Sequence, residues 1–419
     1  MIGSKKILKS ICLISLSLIT VFSLSACKWL GDKNSKDQKK LNIFIDTKDD
    51  HSYKVIKFLV DDYKKNNPDV QLKLNDILGD KSDIMDTINL GTEIDVMFTN
   101  RNDFIELSKK GVLSDMEGTY EDNNINSRYF NIIGSYGRIG DKYFGIGVLP
   151  ESIEFFYNKV NLKKLKIASP NNLEEWLNVL KQVNGMGVST PAVLNEDIDA
   201  SGTLFSLIAS KSVNVNEIQE SYDVGEQGYK KIKDMQGVFD KFNLLTKNYG
   251  ITRKSFELGN EQSVTNFNNG DSPLLIGTSY YNSKLNGDNI GVIGDYDNNS
   301  KLGSDVPIII NSILSVPVNA KNGDSADAFI QYIYSDKVQA RLVEKGIITG
   351  NKVANNKIIG IGKSMVKHIY KANDNSMPIL YNLPNKVKKT VVLTLKKIID
   401  GKYSSKEWEE ILKESYKWY

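Results

Sequence analysis

Between residues 41 and 111 the chain alternates between two hydrophobic periods, and this limits the folds open to it. LNIFI (41–45) has strand character, and residues 53–66 then place Val55, Ile56, Leu59, Val60 and Tyr63 at helical spacing until Asn66-Asn67-Pro68 stops the helix. VQLKL (70–74) alternates again. Ile84, Met85 and Ile88 mark a second helix with Gly91 just past its end, and IDVMF (94–98) reads as a short buried strand. A third helix over 103–110 closes at Gly111. Strands joined through helices must cross over before they pair, so β-α-β-α-β predicts a mostly parallel sheet with helices on both faces.

The remaining chain continues in mixed fashion. The strand IEFFY (153–157) follows YFGIGVLPES, and Asn172 with Glu175 predicts a capping box opening a helix at 173–183 around Leu173, Trp176, Leu177 and Leu180. Helices are expected at 228–249, 260–269 and 324–345, and strands at 273–277 and 310–318. Ser404 and Glu407 predict a second capping box, whose helix buries Trp408, Ile411 and Leu412. A chain of 419 residues with 40% hydrophobic and 25% charged content has room for two or three compact units.

The amino terminus carries an export address. MIGSKKILKS (1–10) is basic, ICLISLSLITVFSL (11–24) is apolar but short for a membrane span, and Leu24-Ser25-Ala26-Cys27 follows. This tetrapeptide resembles a bacterial lipobox, which implies a signal peptide over 1–26 and a diacylated Cys27 as the mature amino terminus. Two acyl chains hold a protein on a membrane where one does not. Residues 28–40, with five lysines against two aspartates, read as a flexible tether of roughly 20 Å reach. Its lysines suit either contact with anionic headgroups or plain solvation.

Three lysines, Lys5, Lys6 and Lys9, lie in that leader, so the formal charge of +3 falls to zero in the mature chain. A neutral balance lacks the basic field that nucleic-acid binding requires. Cys12 and Cys27 are the two cysteines, which leaves the globular part without thiol chemistry. GIGKS (360–364) ends like a phosphate-binding loop, but Lys357 stands where its first glycine belongs. DIDASG (197–202) begins like a calcium loop, yet its twelfth position is Ile208 rather than a carboxylate, and DYDNNS (295–300) lacks the sixth-position glycine. His51 and His368 are far apart in sequence, with no HExxH motif, which argues against zinc chemistry. With 51 acidic residues, no carboxylate pair stands out as a glycosidase couple. No metal, no cofactor and no catalytic residue is expected.

Several segments, in order, resemble the extracellular solute-binding proteins of ABC sugar importers, the family that includes maltose-binding protein. They are YKKNNPDVQLKL (63–74), LGTEIDVMF (90–98), KKGVL (109–113), YFGIGVLPESIEFFYNK (143–159), NNLEEWLNVLK (171–181), FNNGDSPLLIG (267–277), SVPVNAKNGDSADAFIQYI (315–333) and IIDGKYSSKEWEEIL (398–412). The resemblance runs from Leu41 to the carboxyl terminus. It implies a two-lobe α/β periplasmic-binding-protein-like fold, with residues 41–148 and 306–346 in one lobe, 149–305 and 347–419 in the other, and a ligand cleft between them.

Open parallel sheets bind ligands beyond the carboxyl ends of their strands. That directs attention to Asp46 and the polar loop 46–50, which suits either hydroxyl recognition or a solvated turn, and to Thr99, Asn100, Asn102 and Asp103, where the family places sugar-binding groups. The aromatic that the family carries near Thr99 is absent. By the same resemblance Glu151 falls on a ligand-binding glutamate, able to accept two sugar hydroxyls. Ser279 stands in place of a sugar-stacking tryptophan with Tyr280 and Tyr281 directly after it, and Met377 and Tyr381 lie near a late cleft-lining segment. The implied protein is a monomeric, non-catalytic, lipid-anchored receptor on the outer face of the cell membrane of a Gram-positive type of cell. It would hand a small solute, a carbohydrate, to the transmembrane subunits of an ABC permease. Two other readings remain open: a ligand sensor for a membrane kinase, and a surface carbohydrate-active enzyme.

Overall fold

The structure is a computed structural model that describes residues 39–47, 49–76, 84–89, 91–195, 198–285, 287–294 and 306–417. The signal peptide, Cys27 and nearly all of the tether, together with Asp197 and DYDNNS, lie outside the described residues.

The predicted alternation is present. Strand β1 (Lys40–Asp46) leads into helix α1 (Asp50–Asn66), then β2 (Gln71–Asp76), α2 (Ile84–Asn89), β3 (Val96–Thr99) and α3 (Arg101–Lys109). Strand β1 runs parallel to both β2 and β3, with Ile43 opposite Leu74 on one side and Val96 on the other. The buried face of α1 is the expected Val55, Ile56, Leu59, Val60 and Tyr63 stripe, and each such side chain removed from water contributes about 1.5–3 kcal/mol. Asp49 caps this helix, its Oδ2 accepting the Ser52 N–H at 2.8 Å.

Two antiparallel strands complete the first sheet: β4 (Ile146–Gly147) and β11 (Ile313–Ser315), in the order β2-β1-β3-β11-β4. The second sheet is built on β5 (Glu151–Asn158). The elements that follow are α4 (Leu173–Gly185), β6 (Thr190–Ala192), α5 (Ala200–Ala209), α6 (Asp234–Tyr249), β7 (Phe256–Leu258), α7 (Glu261–Asn269), β8 (Leu274–Thr278) and β9 (Ile290–Val292). Its order is β9-β5-β8-β6-β7, with β10 (Ile308–Ile309) pairing antiparallel to the start of β5. The chain therefore crosses from the first sheet to the second between Gly147 and Glu151, and returns between Ile309 and Ile313. The expected single strand 310–318 is two short pieces because Ile308–Ile309 belongs to one sheet and Ile313–Ser315 to the other.

Beyond β11 come α8 (Gly323–Ile333), α9 (Asp336–Glu344), α10 (Gly362–Lys371), α11 (Asn385–Ile399) and α12 (Glu407–Ser415). The helix expected over 324–345 is broken at Ser335, whose side chain caps the second piece by accepting the Val338 N–H. At 404–407 the structure corrects the sequence expectation. Helix α12 begins at Glu407, and the Glu407 carboxylate accepts the Ser404 N–H at 2.5 Å, so Ser404 lies outside the helix and is not its cap. Asn172 does cap α4, but the Glu175 carboxylate turns to the N–H of Asn171 instead of closing the box on Asn172. In the former calcium-loop candidate, Asp199 is a helix cap that accepts the Gly202 N–H at 2.8 Å.

Trp176 and Trp408 are core residues, as their positions on helix faces suggested. The Trp176 indole donates to the Phe156 carbonyl and meets the Phe155 ring edge-on at 4.8 Å, and Trp408 donates to the Tyr229 carbonyl. Near the crossings, Gly137 lies so close to the Gly145 carbonyl that a Cβ there would stand 1.7 Å from its oxygen. The sequence could not announce that requirement. The late segment 374–383 packs back against the first sheet's helices. Fully buried Arg101 donates to the Tyr136 carbonyl and to Asn382 Oδ1, Asn102 donates to the Leu383 carbonyl, and Arg138 pairs with Asp374. Burial pulls the Arg101 guanidinium down to about 10.

Candidate functional site

The first crossing delivers Glu151 to the boundary between the two sheets, and the amino-terminal turn of α1 delivers His51 to the same place. Glu151 is almost completely buried, at 1% exposure, at the start of β5 and opposite Ile309 of β10. Its Oε2 lies 3.2 Å from His51 Nδ1 and accepts a hydrogen bond from the Thr278 hydroxyl at the end of β8. The other ring nitrogen, His51 Nε2, lies 3.1 Å from the Tyr281 hydroxyl.

Tyr280 completes the arrangement. Its ring stacks on the His51 imidazole with centroids 3.7 Å apart and planes within 10°, while Tyr281 meets the imidazole edge-on at 5.1 Å. The short 3₁₀ turn Ser279–Ser283 puts the two tyrosines at right angles, and Tyr281 is buried while Tyr280 is half-buried. Adjacent residues at the end of a strand point different ways, so one tyrosine offers a face and the other a hydroxyl.

Asp49 adds a second carboxylate. Ligand atoms of Asp49, His51 and Glu151 all lie within 4.8 Å of one another. Burial raises the Asp49 carboxyl above its usual range, and the nearby Glu151 charge raises it further. For His51, burial opposes the charged ring, but the Glu151 charge and hydrogen bond outweigh it and the value rises. The Tyr280 and Tyr281 hydroxyls are both pushed up by burial.

A second polar group sits at the return crossing. Tyr381, which is buried, donates to Asn311 Oδ1 at 2.9 Å, and the Asn195 amide donates to the Tyr381 hydroxyl at 2.8 Å and to Asn311 Oδ1 at 2.6 Å. The Thr47 hydroxyl, just past β1, donates to the Asn311 carbonyl at 3.3 Å. Met377 is buried core.

The residues expected after β1 and β3 have diverse surroundings. Asp46 ends β1 in register with Thr99, whose buried hydroxyl finds no hydrogen-bond partner among the described residues. Asn100 caps α3 through the Asp103 N–H, its amide also reaching the Asp103 carboxylate, and Asn102 is committed to Leu383. The structure thus gathers Glu151, Tyr280 and Tyr281 in one cluster and Tyr381 in another. It adds His51, Asp49, Thr278, Asn195 and Asn311, which sequence reasoning did not single out. The sequence offers only His368 as a second histidine, whereas the partner of His51 is a glutamate 100 residues away. The one available signal was its place directly after the polar loop 46–50 that follows the first strand.

The sequence profile of the bacterial extracellular solute-binding protein family matches residues 59–363. No curated protein matches the chain in sequence. Among solved structures, a family 1 extracellular solute-binding protein from Bifidobacterium longum subsp. infantis is similar at TM-score 0.66 and 20% identity, over 91% of this chain and 99% of that one. The GacH receptor of Streptomyces glaucescens, solved unliganded and with acarbose, is similar at TM-score 0.61 and 18% identity, over 90% of this chain and 98% of that one. The solute-binding protein RafE in complex with raffinose follows at TM-score 0.62 and 15% identity, over 89% of this chain and 97% of that one. The two-lobe α/β architecture is therefore shared along nearly the whole length of each. A profile match across most of the sequence, on a fold whose crossings bring buried polar groups together between two sheets, places this chain in the bacterial extracellular solute-binding protein family.

Proposed function

We propose that the protein captures a carbohydrate between its lobes and delivers it to an ABC importer without chemically changing it. The observation that carries this reading is the Glu151–His51–Tyr280–Tyr281 cluster at the first crossing. A buried carboxylate, a ring nitrogen and a phenol supply directional hydrogen bonds for hydroxyl groups, and the Tyr280 ring supplies the apolar platform that a pyranose face needs. Asn195, Asn311 and Tyr381 would contribute further hydroxyl-reading groups at the return crossing. Acarbose and raffinose, the ligands of GacH and RafE, support a sugar over other polar solutes.

In this reading the lobes comprise residues 41–148 with 306–346 and 149–305 with 347–419, and they close by rotation at the crossings. Asp46, Thr99, Asn100, Asn102 and Asp103 line or support the ligand side of the first lobe. Cys27 carries the lipid that holds the receptor at the outer face of the membrane, and the closed form docks on the permease as a monomer. Isothermal titration of the purified protein against a panel of mono- and oligosaccharides tests the central claim. Saturable binding of at least one sugar, abolished by Glu151→Ala, supports it, and silence across the panel with binding of amino acids or polyamines instead overturns it.

A further inference from the structure

The half-buried Asp49 carboxylate, the buried Glu151 carboxylate and the His51 imidazole converge at one place, and together they are the donor set of a transition-metal site. Asp49, His51 and Glu151 each present a ligand atom within 4.8 Å of the others. His51 Nδ1 and Glu151 Oε2 are already 3.2 Å apart, and ligand atoms around one tetrahedral zinc at about 2.0–2.2 Å stand about 3.4 Å from each other. Small side-chain rotations therefore close the set around a single ion. The second, independent observation is that Glu151 Oε1 is buried in protein yet has no hydrogen-bond partner among the described residues. A buried carboxylate oxygen left in that state is costly unless something charged fills the gap.

Each donor is also held from behind. Asp49 Oδ2 is fixed by the Ser52 N–H, Glu151 Oε2 by the Thr278 hydroxyl, and His51 Nε2 by the Tyr281 hydroxyl. Outer partners of this kind orient metal ligands and set the imidazole tautomer. With Nε2 turned to the phenol, Nδ1 is the nitrogen left to face the two carboxylates. One imidazole with two carboxylates suits Zn²⁺, whereas the hard ions Mg²⁺ and Ca²⁺ favour sets made wholly of oxygen.

We propose that Asp49, His51 and Glu151 form a zinc site at the lobe boundary, with its fourth position open to water or to a ligand oxygen. Asp49 and His51 come from the first lobe and Glu151 from the second, so the ion would cross-link the closed form. This inference does not rest on the carbohydrate reading, because the metal needs no sugar in order to bind.

The test is titration of chelator-stripped protein with Zn²⁺ alone, read by calorimetry and by thermal shift, with Co²⁺ as a spectroscopic stand-in. The expected result is one Zn²⁺ per chain, a raised melting temperature, and visible Co²⁺ bands typical of four-coordinate N/O ligation. Asp49→Asn, His51→Gln and Glu151→Gln should each weaken Zn²⁺ at least tenfold, and Tyr281→Phe, which removes only the support behind His51, should weaken it about 10–100-fold. Failure of the unaltered protein to bind Zn²⁺ overturns the proposal whatever the fate of the variants, as does equal affinity for Ca²⁺ or wild-type Zn²⁺ affinity in the three ligand variants. Sugar titrations run on the stripped protein report separately on the carbohydrate reading.

Discussion

Glu151 and His51 face each other at 3.2 Å across the boundary between the two sheets, although 100 residues separate them in sequence. The imidazole ring hydrogen-bonds to Glu151 and Tyr281 and packs on Tyr280 and Tyr281, all residues of the proposed opposite lobe. Truncating the ring therefore removes a link that exists only when the lobes are together. An aromatic pair is worth about 0.5–1.5 kcal/mol beyond burial and a hydrogen bond to a charged group about 1.5–3. His51→Ala should shift the lobes toward the open form by roughly tenfold or more, measurable as a larger radius of gyration by small-angle scattering of ligand-free protein. An unchanged scattering profile would show that His51 is a bystander.

Tyr280 presents the flat apolar surface of the cluster, and Tyr281 its hydroxyl, so the two should fail differently. Tyr280→Ala should cost sugar affinity about tenfold, near 1.4 kcal/mol, with the loss in the dissociation rate. Tyr280→Phe should retain most of it, since stacking does not use the hydroxyl. Tyr281→Phe keeps the ring but drops the partner of His51 Nε2, and it should cost more than Tyr280→Phe. Calorimetry on the three variants with one bound sugar decides the order.

How far the sequence reached depends on the distance over which each signal acts. The alternation from β1 to α3 was legible because apolar spacing is local, and so were the buried faces carrying Trp176 and Trp408. The break at Ser335 was not: no acidic residue stands three positions on, so the usual capping signature is missing and only the Val338 N–H contact reveals it. Of the cluster at the first crossing, Glu151, Tyr280 and Tyr281 were reachable through resemblance. His51 was not, because a lone histidine carries no spacing pattern and its partners come from two distant segments. Asn311, which ties Thr47, Asn195 and Tyr381 together at the return crossing, was hidden for the same reason.

Asp95 ties the first sheet to the start of α8. Its carboxylate accepts the Asn42 N–H at 2.8 Å, the Asn322 N–H at 3.0 Å and the amides of both side chains. Burial pushes this carboxyl up, but those hydrogen bonds outweigh it and hold it below the usual value. The stabilisation is thus present above the unfolded value of about 3.9 and is lost as pH falls through the lower folded one. Asp95→Ala would leave the buried Asn42 donors and the half-buried Asn322 donors unmatched, at about 3 kcal/mol. Thermal melts from pH 6 down to pH 2 should show a steep acid loss in the native protein and a shallower one in Asp95→Asn.

His368 on α10 makes the opposite linkage. Its Nδ1 lies 3.0 Å from both oxygens of the buried Glu154 carboxylate on β5, and Nε2 lies 3.2 Å from the Gly294 carbonyl. Both nitrogens face acceptors, which demands a proton on each. Burial works against that charge, while the Glu154 charge and hydrogen bond, with help from Gly294, carry the value above the usual one. The stabilisation is complete below the unfolded histidine value of about 6.5 and is lost as pH rises through the raised folded value. Between pH 6 and pH 9 the native melting temperature should fall, and His368→Gln should be lower at pH 6 and nearly level across the range. A His368→Gln protein that keeps the full native slope would place the alkaline sensitivity elsewhere and remove His368 from the account.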